Sequence, residues 1–271
     1  MSNNNKLQGQ SALVTGASTG IGYELAKLFA QDGYNIIAVA RTEEDLQKAA
    51  MEFREQYGVQ VEVLPKDLFG ENAATELYQE VKAKGLEVEV LVNDAGQGVY
   101  GLFAETDLEE QMKIIHLNIV SLTKLTYHFL KDMKARNSGK ILQLGSVVSE
   151  LPAPYQAVYG GTKAYVLSFS EALISELKDS AITVSVLQPG ATDTDFFEKA
   201  GAQDSRLVQD KSKLANPATV AQDGYDALMS GDDKVVSGFK NKAQIAMANV
   251  MPDTMLADQM KKQSEPVDKD K

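Results

Sequence analysis

The chain has 271 residues, 44% hydrophobic and 24% charged, and a formal net charge of −11. That composition suits a soluble globular protein with a large core, while the acidic balance excludes nucleic acid as a partner and disfavours an anionic membrane surface, since both need clustered positive charge. Cysteine is absent, which removes disulfides, thiolate nucleophiles and cysteine metal sites.

The first ten residues, MSNNNKLQGQ, lack the apolar core of a signal peptide. No run reaches the ~18 apolar residues of a membrane span, so a cytoplasmic protein with no membrane partner is expected. SALVTG is a short apolar run ending in Gly16 and reads as a buried strand. Ile21, Leu25, Leu28 and Phe29 then recur at helical spacing until Gly33. NIIAVA is a second strand. Thr42 can cap the next helix, with Leu46, Ala50 and Phe53 inside and Gly58 past its end. VQVEVL is a third strand, followed by a helix over about 72–84 that Gly85 closes. EVEVLV is a fourth strand and leads into Asn93-Asp94-Ala95-Gly96.

A long helical segment is expected over about 107–136, then the strand KILQLGS, then a second long helix over about 155–179. AITVSVLQPG is a sixth strand, ended by Pro189. Residues 191–216 carry no clear periodicity. Asn216 and Pro217 open a further helix by the cap-then-proline rule. KVVSG is a short seventh strand, and the polar run from Lys261 is expected to be disordered. Strands alternating with helices imply an α/β fold, doubly wound, with a parallel sheet of about seven strands and helices on both faces. Nothing like a linker divides the chain, so a single domain, ordered over about 8–260, is expected. The two histidines, His116 and His128, lie twelve apart on one helical segment and point in different directions. No metal site is expected.

The turn Thr15-Gly16-Ala17-Ser18-Thr19-Gly20-Ile21-Gly22 joins the first strand to the first helix. Glycines there let the backbone turn sharply and approach a ligand, and the helix N-terminus offers free N–H groups to a phosphate. The Gly-x-x-x-Gly-x-Gly spacing resembles the short-chain dehydrogenase/reductase family. Asn93 to Gly96 is similar to that family's Asn-Asn-Ala-Gly, with Asp94 in place of the second asparagine. Asn118 in HLNIV, and Pro189-Gly190 followed by Thr192, match its later motifs in order. The resemblance covers about residues 10–195 and implies a single Rossmann-type domain that binds a nicotinamide dinucleotide. Gly16, Ser18, Thr19, Gly20, Ile21, Gly22, Asn93, Ala95, Gly96, Pro189, Gly190 and Thr192 are then cofactor residues, Thr192 holding the carboxamide. Asp67 fits the position that contacts adenine.

The second strand ends Ala40-Arg41-Thr42, with no carboxylate for a ribose 2′-OH. A guanidinium matches a phosphate, so Arg41 and Thr42 favour NADP, NAD remaining possible. Glu43 and Glu44 would oppose a phosphate if turned inward, or serve a helix start if not.

Tyr-x-x-x-Lys occurs four times: Tyr23 with Lys27, Tyr78 with Lys82, Tyr127 with Lys131, and Tyr159 with Lys163. Location separates them. Ligands of open parallel sheets bind at the carboxyl ends of strands, and only Tyr159 starts a helix soon after such an end. Ser146 lies thirteen residues before it, as the family's serine does, with Ser149 the competitor. Tyr159 is the expected proton donor. An ammonium about 4 Å away contributes roughly 4 kcal/mol at an effective dielectric of 20, so Lys163 is expected to bring the phenol down by about 3 units, to near 7. By resemblance Tyr159 and Lys163 also contact the cofactor, Lys163 holding the nicotinamide ribose, Ser146 the substrate oxygen and Asn118 a water. Gly160 and Gly161 each weaken a helix by about 1 kcal/mol and imply close approach of cofactor or backbone.

The expected pocket mouth draws on residues 97–103, 147–156 and the segment with Phe196 and Phe197, an apolar lining without a basic cluster; the resemblance implies that residues 191–216, which hold that segment, form a lid. These features imply an NADP-dependent oxidoreductase that interconverts a carbonyl and an alcohol on an apolar small molecule. The alternatives are a 3-oxoacyl-carrier-protein-type reductase and a non-catalytic NADP-binding sensor or scaffold. The resemblance also implies a homodimer or homotetramer that pairs the two long helices.

Overall fold

The computed structural model describes residues 9–248 and 250–267. Seven parallel strands form one sheet in the order β3-β2-β1-β4-β5-β6-β7. They are β1 Ser11–Thr15, β2 Asn35–Ala40, β3 Val61–Pro65, β4 Val88–Asn93, β5 Gly139–Leu144, β6 Ile182–Gln188 and β7 Lys234–Val236. Strand side chains alternate between faces. Ala12, Val14, Ile36, Ala38, Val90 and Val92 enter one core and Leu13, Ile37, Val39 and Leu91 the other. Both faces are apolar, which is why each strand reads as a continuous hydrophobic run.

The first core is closed by α1 Gly20–Gln31, α2 Glu43–Tyr57 and α9 Pro217–Ser230, through Phe29, Phe53 and Leu228 among others. The second is closed by α3 Ala73–Ala83, α5 Leu122–Arg136 and α6 Ala157–Glu176, through Leu77, Phe129 and Leu173. Local signals set the ends. Gly58 and Gly231 take left-handed conformations after α2 and α9 (φ 69° and 83°), and the Asn216 side chain accepts from Ala218 N–H at 2.8 Å.

Several elements differ from the sequence expectation. The segment over 107–136 contains α4 Leu108–Ile115, a π-helical stretch His116–Ser121, and α5. The second long helix starts at Ala157, because Tyr155 takes a left-handed φ of 64° that a helix start does not admit. Residues 191–216 hold α7 Phe196–Lys199, α8 Arg206–Gln209 and a 3₁₀ turn Lys211–Lys213. Pieces that short leave no periodic trace in sequence.

The run from Lys261, expected to be disordered, instead ends a helix. After α10 Phe239–Ala248, α11 Asp253–Ser264 anchors Leu256 and Met260 against Leu151 and Ile245. Beyond it, Arg206 N–H donates to the Glu265 carbonyl (3.1 Å) and Val267 N–H to the Asp204 carbonyl (2.8 Å). Backbone partners hold this polar stretch, so its composition gave no sign of order. The expected tail over 268–271 and the first eight residues lie outside the described residues. Among the described residues no helix is long and apolar enough to cross a membrane.

Candidate active site

Register between β1 and β4 places Thr15 beside Asn93. The Thr15 hydroxyl accepts from the N–H groups of Asp94 and Ala95, each at 3.1 Å, and donates to the Val92 carbonyl. This clamps the glycine turn to the loop after β4. Gly16 (φ 75°) and Gly20 (φ 62°) take conformations that suit glycine. A Cβ on Gly22 would meet the Gly16 carbonyl oxygen at 2.4 Å. Ser18, Thr19, Gly20 and Ile21 line a crevice of 580 Å³. Thr19 precedes α1 without a side-chain cap, so the positive helix end faces that space.

At one end of the crevice stand Arg41, Thr42, Lys66, Asp67 and Phe69. The Arg41 guanidinium lies 5.5 Å from the centre of the Phe69 ring. Glu43 and Glu44 sit in the first turn of α2, exposed and outside the crevice lining. The Asp67 carboxylate accepts from Phe69 N–H at 3.1 Å and shapes the turn. Lys66 had drawn no attention in the sequence. It reaches Glu76 at 3.8 Å and Glu80 at 3.5 Å while lining the crevice, and its signal was a cation at the carboxyl end of the edge strand β3.

At the other end Tyr159, Ser146 and Lys163 converge. The Ser146 hydroxyl hydrogen-bonds the Tyr159 phenol and accepts from Val148 N–H at 3.3 Å. Ser149, the competing serine, accepts from Ser146 N–H at 3.1 Å and so braces it from behind. Lys163 is buried, donates to the Leu144 carbonyl at 2.6 Å, and lies 5.7 Å from the centre of the Tyr159 ring.

The charges balance differently from the sequence expectation. Burial pushes the Tyr159 phenol up to about 12, the Ser146 hydrogen bond pulling it down and the Asp94 charge adding to the rise. Burial pushes Lys163 down to about 8, against the opposing pull of Asp94. Asp94 itself is raised to about 7 by burial, with Lys163 and the Gly22 N–H lowering it. The expected fall of the phenol toward 7 is thus not found: desolvation dominates and the Asp94 charge adds to it.

Asn118 and Asn93 lie beneath the crevice rather than in its lining. Asn118 donates to the Gln97 carbonyl (2.9 Å) and Thr162 hydroxyl (3.0 Å) and accepts from Gln97 N–H (3.1 Å). It fixes the loop after β4 from within the π-helical stretch. Asn93 donates to Thr126 and Gln143. Gly22 also lies below the lining, covered by Asp94. Ala95, Gly96, Pro189, Gly190 and Thr192 do line it, and the Thr192 hydroxyl donates to the Gly190 carbonyl at 3.0 Å.

Phe196 rests on Tyr159 with ring centres 5.0 Å apart, and Phe197 meets Phe196 edge-on at 5.4 Å. Gly98 makes this possible: a Cβ there would come within 2.9 Å of Phe196. The far wall, unanticipated from sequence, comes from Gln244 of α10 and Met260 and Ser264 of α11. The Ser264 carbonyl accepts from the Tyr100 hydroxyl (2.5 Å) and the Ser205 hydroxyl (3.1 Å). Lys199 and Lys213 also reach this end, drawn to Asp195 at 3.3 Å and Asp210 at 3.1 Å.

The other tyrosines of the repeated spacing are elsewhere. Tyr23 donates to Glu52 at 2.6 Å, Tyr78 and Lys82 share Asp132, and Tyr127 is exposed. Of the two glycines, Gly160 faces close backbone, since an added Cβ would lie 2.7 Å from that of Ala153. Gly161 is exposed, lies outside the crevice lining and has nothing within 4 Å of an added Cβ.

The short chain dehydrogenase family profile matches residues 10–205. Rat 17-beta-hydroxysteroid dehydrogenase type 3 is 37% identical over 189 residues, 69% of this chain and 61% of that protein. A very-long-chain 3-oxoacyl-CoA reductase of Aspergillus fumigatus is 36% identical over 185 residues, 67% and 53% of the two chains. The chain thus spans 61% and 53% of the length of these curated relatives. Among solved structures, a short-chain dehydrogenase from Sphingobium yanoikuyae in complex with NADPH superposes with a TM-score of 0.78 at 26% identity, covering 92% of this chain and 99% of that one. A 7beta-hydroxysteroid dehydrogenase shares the fold with a TM-score of 0.85 at 24% identity, covering 96% and 99%. A profile that spans β1 to the segment after β6, together with relatives alike in more than one position of three, leaves one assignment: the chain belongs to the short chain dehydrogenase family.

Proposed function

We propose that this chain is an NADP-dependent oxidoreductase that interconverts a carbonyl and an alcohol on a bulky apolar molecule. One observation carries it: the glycine turn, Arg41 and the Tyr159–Ser146–Lys163 cluster open into the same crevice. The residues present fit a dinucleotide. A Cβ at Gly20 would come within 3.0 Å of Thr194 in the lid, so side chains there would fill the cradle. The N–H groups between Ser18 and Ile21 would hold the pyrophosphate, Arg41 the 2′-phosphate, Asp67 the adenine, and Lys163 and Thr192 the nicotinamide end. Structural neighbours at 26% identity, solved in complex with NADPH and with 5-hydroxy-NADP, support this cofactor.

When bound, the reduced dinucleotide supplies a hydride to the carbonyl carbon. Tyr159 gives its proton to the carbonyl oxygen, and Ser146 donates a hydrogen bond to the same oxygen as charge develops there. The Lys163 ammonium, close beneath the ring, steadies the phenolate that remains. Asn118, held within the π-helical stretch, would hold a water that returns the proton. A phenol pushed up to about 12 stays protonated at neutral pH, the form that carbonyl reduction consumes.

The lining of Val147, Val148, Phe196, Phe197 and Met260 suits a large apolar body, in keeping with relatives named for a hydroxysteroid and a very-long-chain 3-oxoacyl-CoA. Those same names support a second function, reduction of a 3-oxoacyl thioester, whether on coenzyme A or on a carrier protein. In either case a cytoplasmic homo-oligomer paired through α5 and α6 fits the exposed Tyr127 and Tyr165 on those helices. NADPH consumption measured against bulky ketones, 3-oxoacyl-CoA and carrier-linked substrates tests the proposal. Turnover of the ketones supports the first function and of the thioesters alone the second. NADPH binding without any consumption would instead indicate a sensor. Tyr159→Phe should lower turnover by at least about a hundredfold while leaving the NADPH dissociation constant unchanged; retained turnover would mean another group donates the proton.

A further inference from the structure

Asp94 stands where the resembled family motif has asparagine, and its carboxylate is wedged against the phosphate turn. Oδ2 lies 2.6 Å from where a Cβ on Gly16 would be and 2.4 Å from one on Gly22. The Gly22 N–H donates to it. One N–H of the first turn of α1 is therefore already committed to an anionic group, at the helix end whose positive pole would otherwise serve a phosphate alone. On its other side the carboxylate interacts with the Lys163 ammonium, and its charge reaches Tyr159. These two are the titratable groups acting on it, both from α6. From β1 and α1 it meets the backbone, with Thr15 holding its own N–H.

We propose that Asp94 is a positioning residue that couples the two halves of the crevice: it ties the N-terminus of α1 to Lys163, and in its ionised form it opposes entry of the dinucleotide pyrophosphate. The proposal rests on the dinucleotide-binding function above. Two anionic groups then compete for one helix terminus. A protonated Asp94 is a neutral hydrogen-bonding group, nearly the isostere of the asparagine it replaces, and does not compete. Burial sets its titration near neutrality. A phosphate arriving beside it raises its proton affinity further, so binding takes up a proton and affinity falls as pH rises above about 7.

The full chain and Asp94→Asn are titrated with NADPH, followed by nucleotide fluorescence, from pH 5.5 to 9. Ionisation of NADPH itself cancels in the ratio of the two dissociation constants. The wild-type to variant ratio is expected near one below pH 6 and about fivefold or more at pH 8.5, an effect of one charge across a partly screened crevice. Lys163 titrates in the same range, so the comparison is repeated in a Lys163→Met background, where a rise is again expected, displaced to higher pH because the ammonium no longer lowers the carboxyl. A melt without nucleotide verifies that each variant is folded, and Asp94→Ser, uncharged and smaller, serves if Asp94→Asn is not. A ratio constant across pH, at whatever value, overturns the role of Asp94, as does a ratio that falls. Failure of the wild type to bind NADPH at any pH overturns the dinucleotide function itself and this inference with it.

Discussion

Lys163 is subject to two opposed effects, loss of water and the nearby Asp94 charge, and their balance can be read as stability. Its ammonium is pushed from 10.5 down to about 8 by burial. Between those values the unfolded chain carries a proton that the native chain has shed, so stability rises with pH across that window. Asp94 acts in the opposite sense. Its carboxyl is raised from 3.8 to about 7, the native chain keeps a proton there that the unfolded chain loses, and stability falls as pH rises through that window. Around pH 7 to 8 both charges are present and both are unfavourable to the fold. Lys163→Met should therefore raise the thermal midpoint at pH 7.5, by about 2–4 °C per kcal/mol regained, while turnover is lost. A midpoint that drops would mean that the bond to the Leu144 carbonyl outweighs desolvation. Arg41 is the simpler case: exposed, stacked on Phe69 and clear of Glu43 and Glu44. Arg41→Ala should weaken NADP by roughly tenfold or more, as loss of a charge-assisted bond implies, and leave NAD unchanged; equal melting shifts with the two nucleotides before and after substitution would remove Arg41 from the phosphate site. Positions such as Tyr159, Ser146 and Arg41 could be read from spacing and strand ends. The proton affinity of Tyr159 could not, because it depends on burial and on a carboxylate 65 residues away in sequence.

Helix α6 carries the cluster and also an avoidable weakness. Gly160 is required, because its missing side chain admits Ala153 and so fixes the loop that leads into Tyr159. Gly161 has open space and no unusual φ. Gly161→Ala should stabilise the protein by up to about 1 kcal/mol without altering NADPH affinity, as a denaturant titration beside a nucleotide titration would establish; a loss of affinity would restore the close approach expected from the sequence. The buried strands and the core-facing helices were legible because each repeats one pattern over its whole length. Helices α7 and α8 were not, being single turns. Nor was α11, whose inner face rests on only a few apolar residues such as Leu256 and Met260. The π-helical stretch around Asn118 has no pattern of its own, yet it turns that side chain onto Gln97.

Across the whole molecule, the sheet supplies the nucleotide end of the crevice and the last helices supply the other. Residues 204–206 and 264–267 are joined by backbone hydrogen bonds and by the Arg206–Glu265 ion pair at 3.1 Å, so α11 lies as a strap over the segment after β6. Removing residues 253–267 should raise KM for bulky ketones severalfold by opening the Met260 wall, with NADPH affinity kept; a matching loss of NADPH affinity would show that the strap also supports the nucleotide cradle. This arrangement gives the strap a further meaning during translation. The ribosome releases the glycine turn, Tyr159 and Thr192 well before Met260 and Ser264. A domain folds as one unit, so a growing polypeptide that already carries these residues still waits for α11 before the chamber beside them gains its last side.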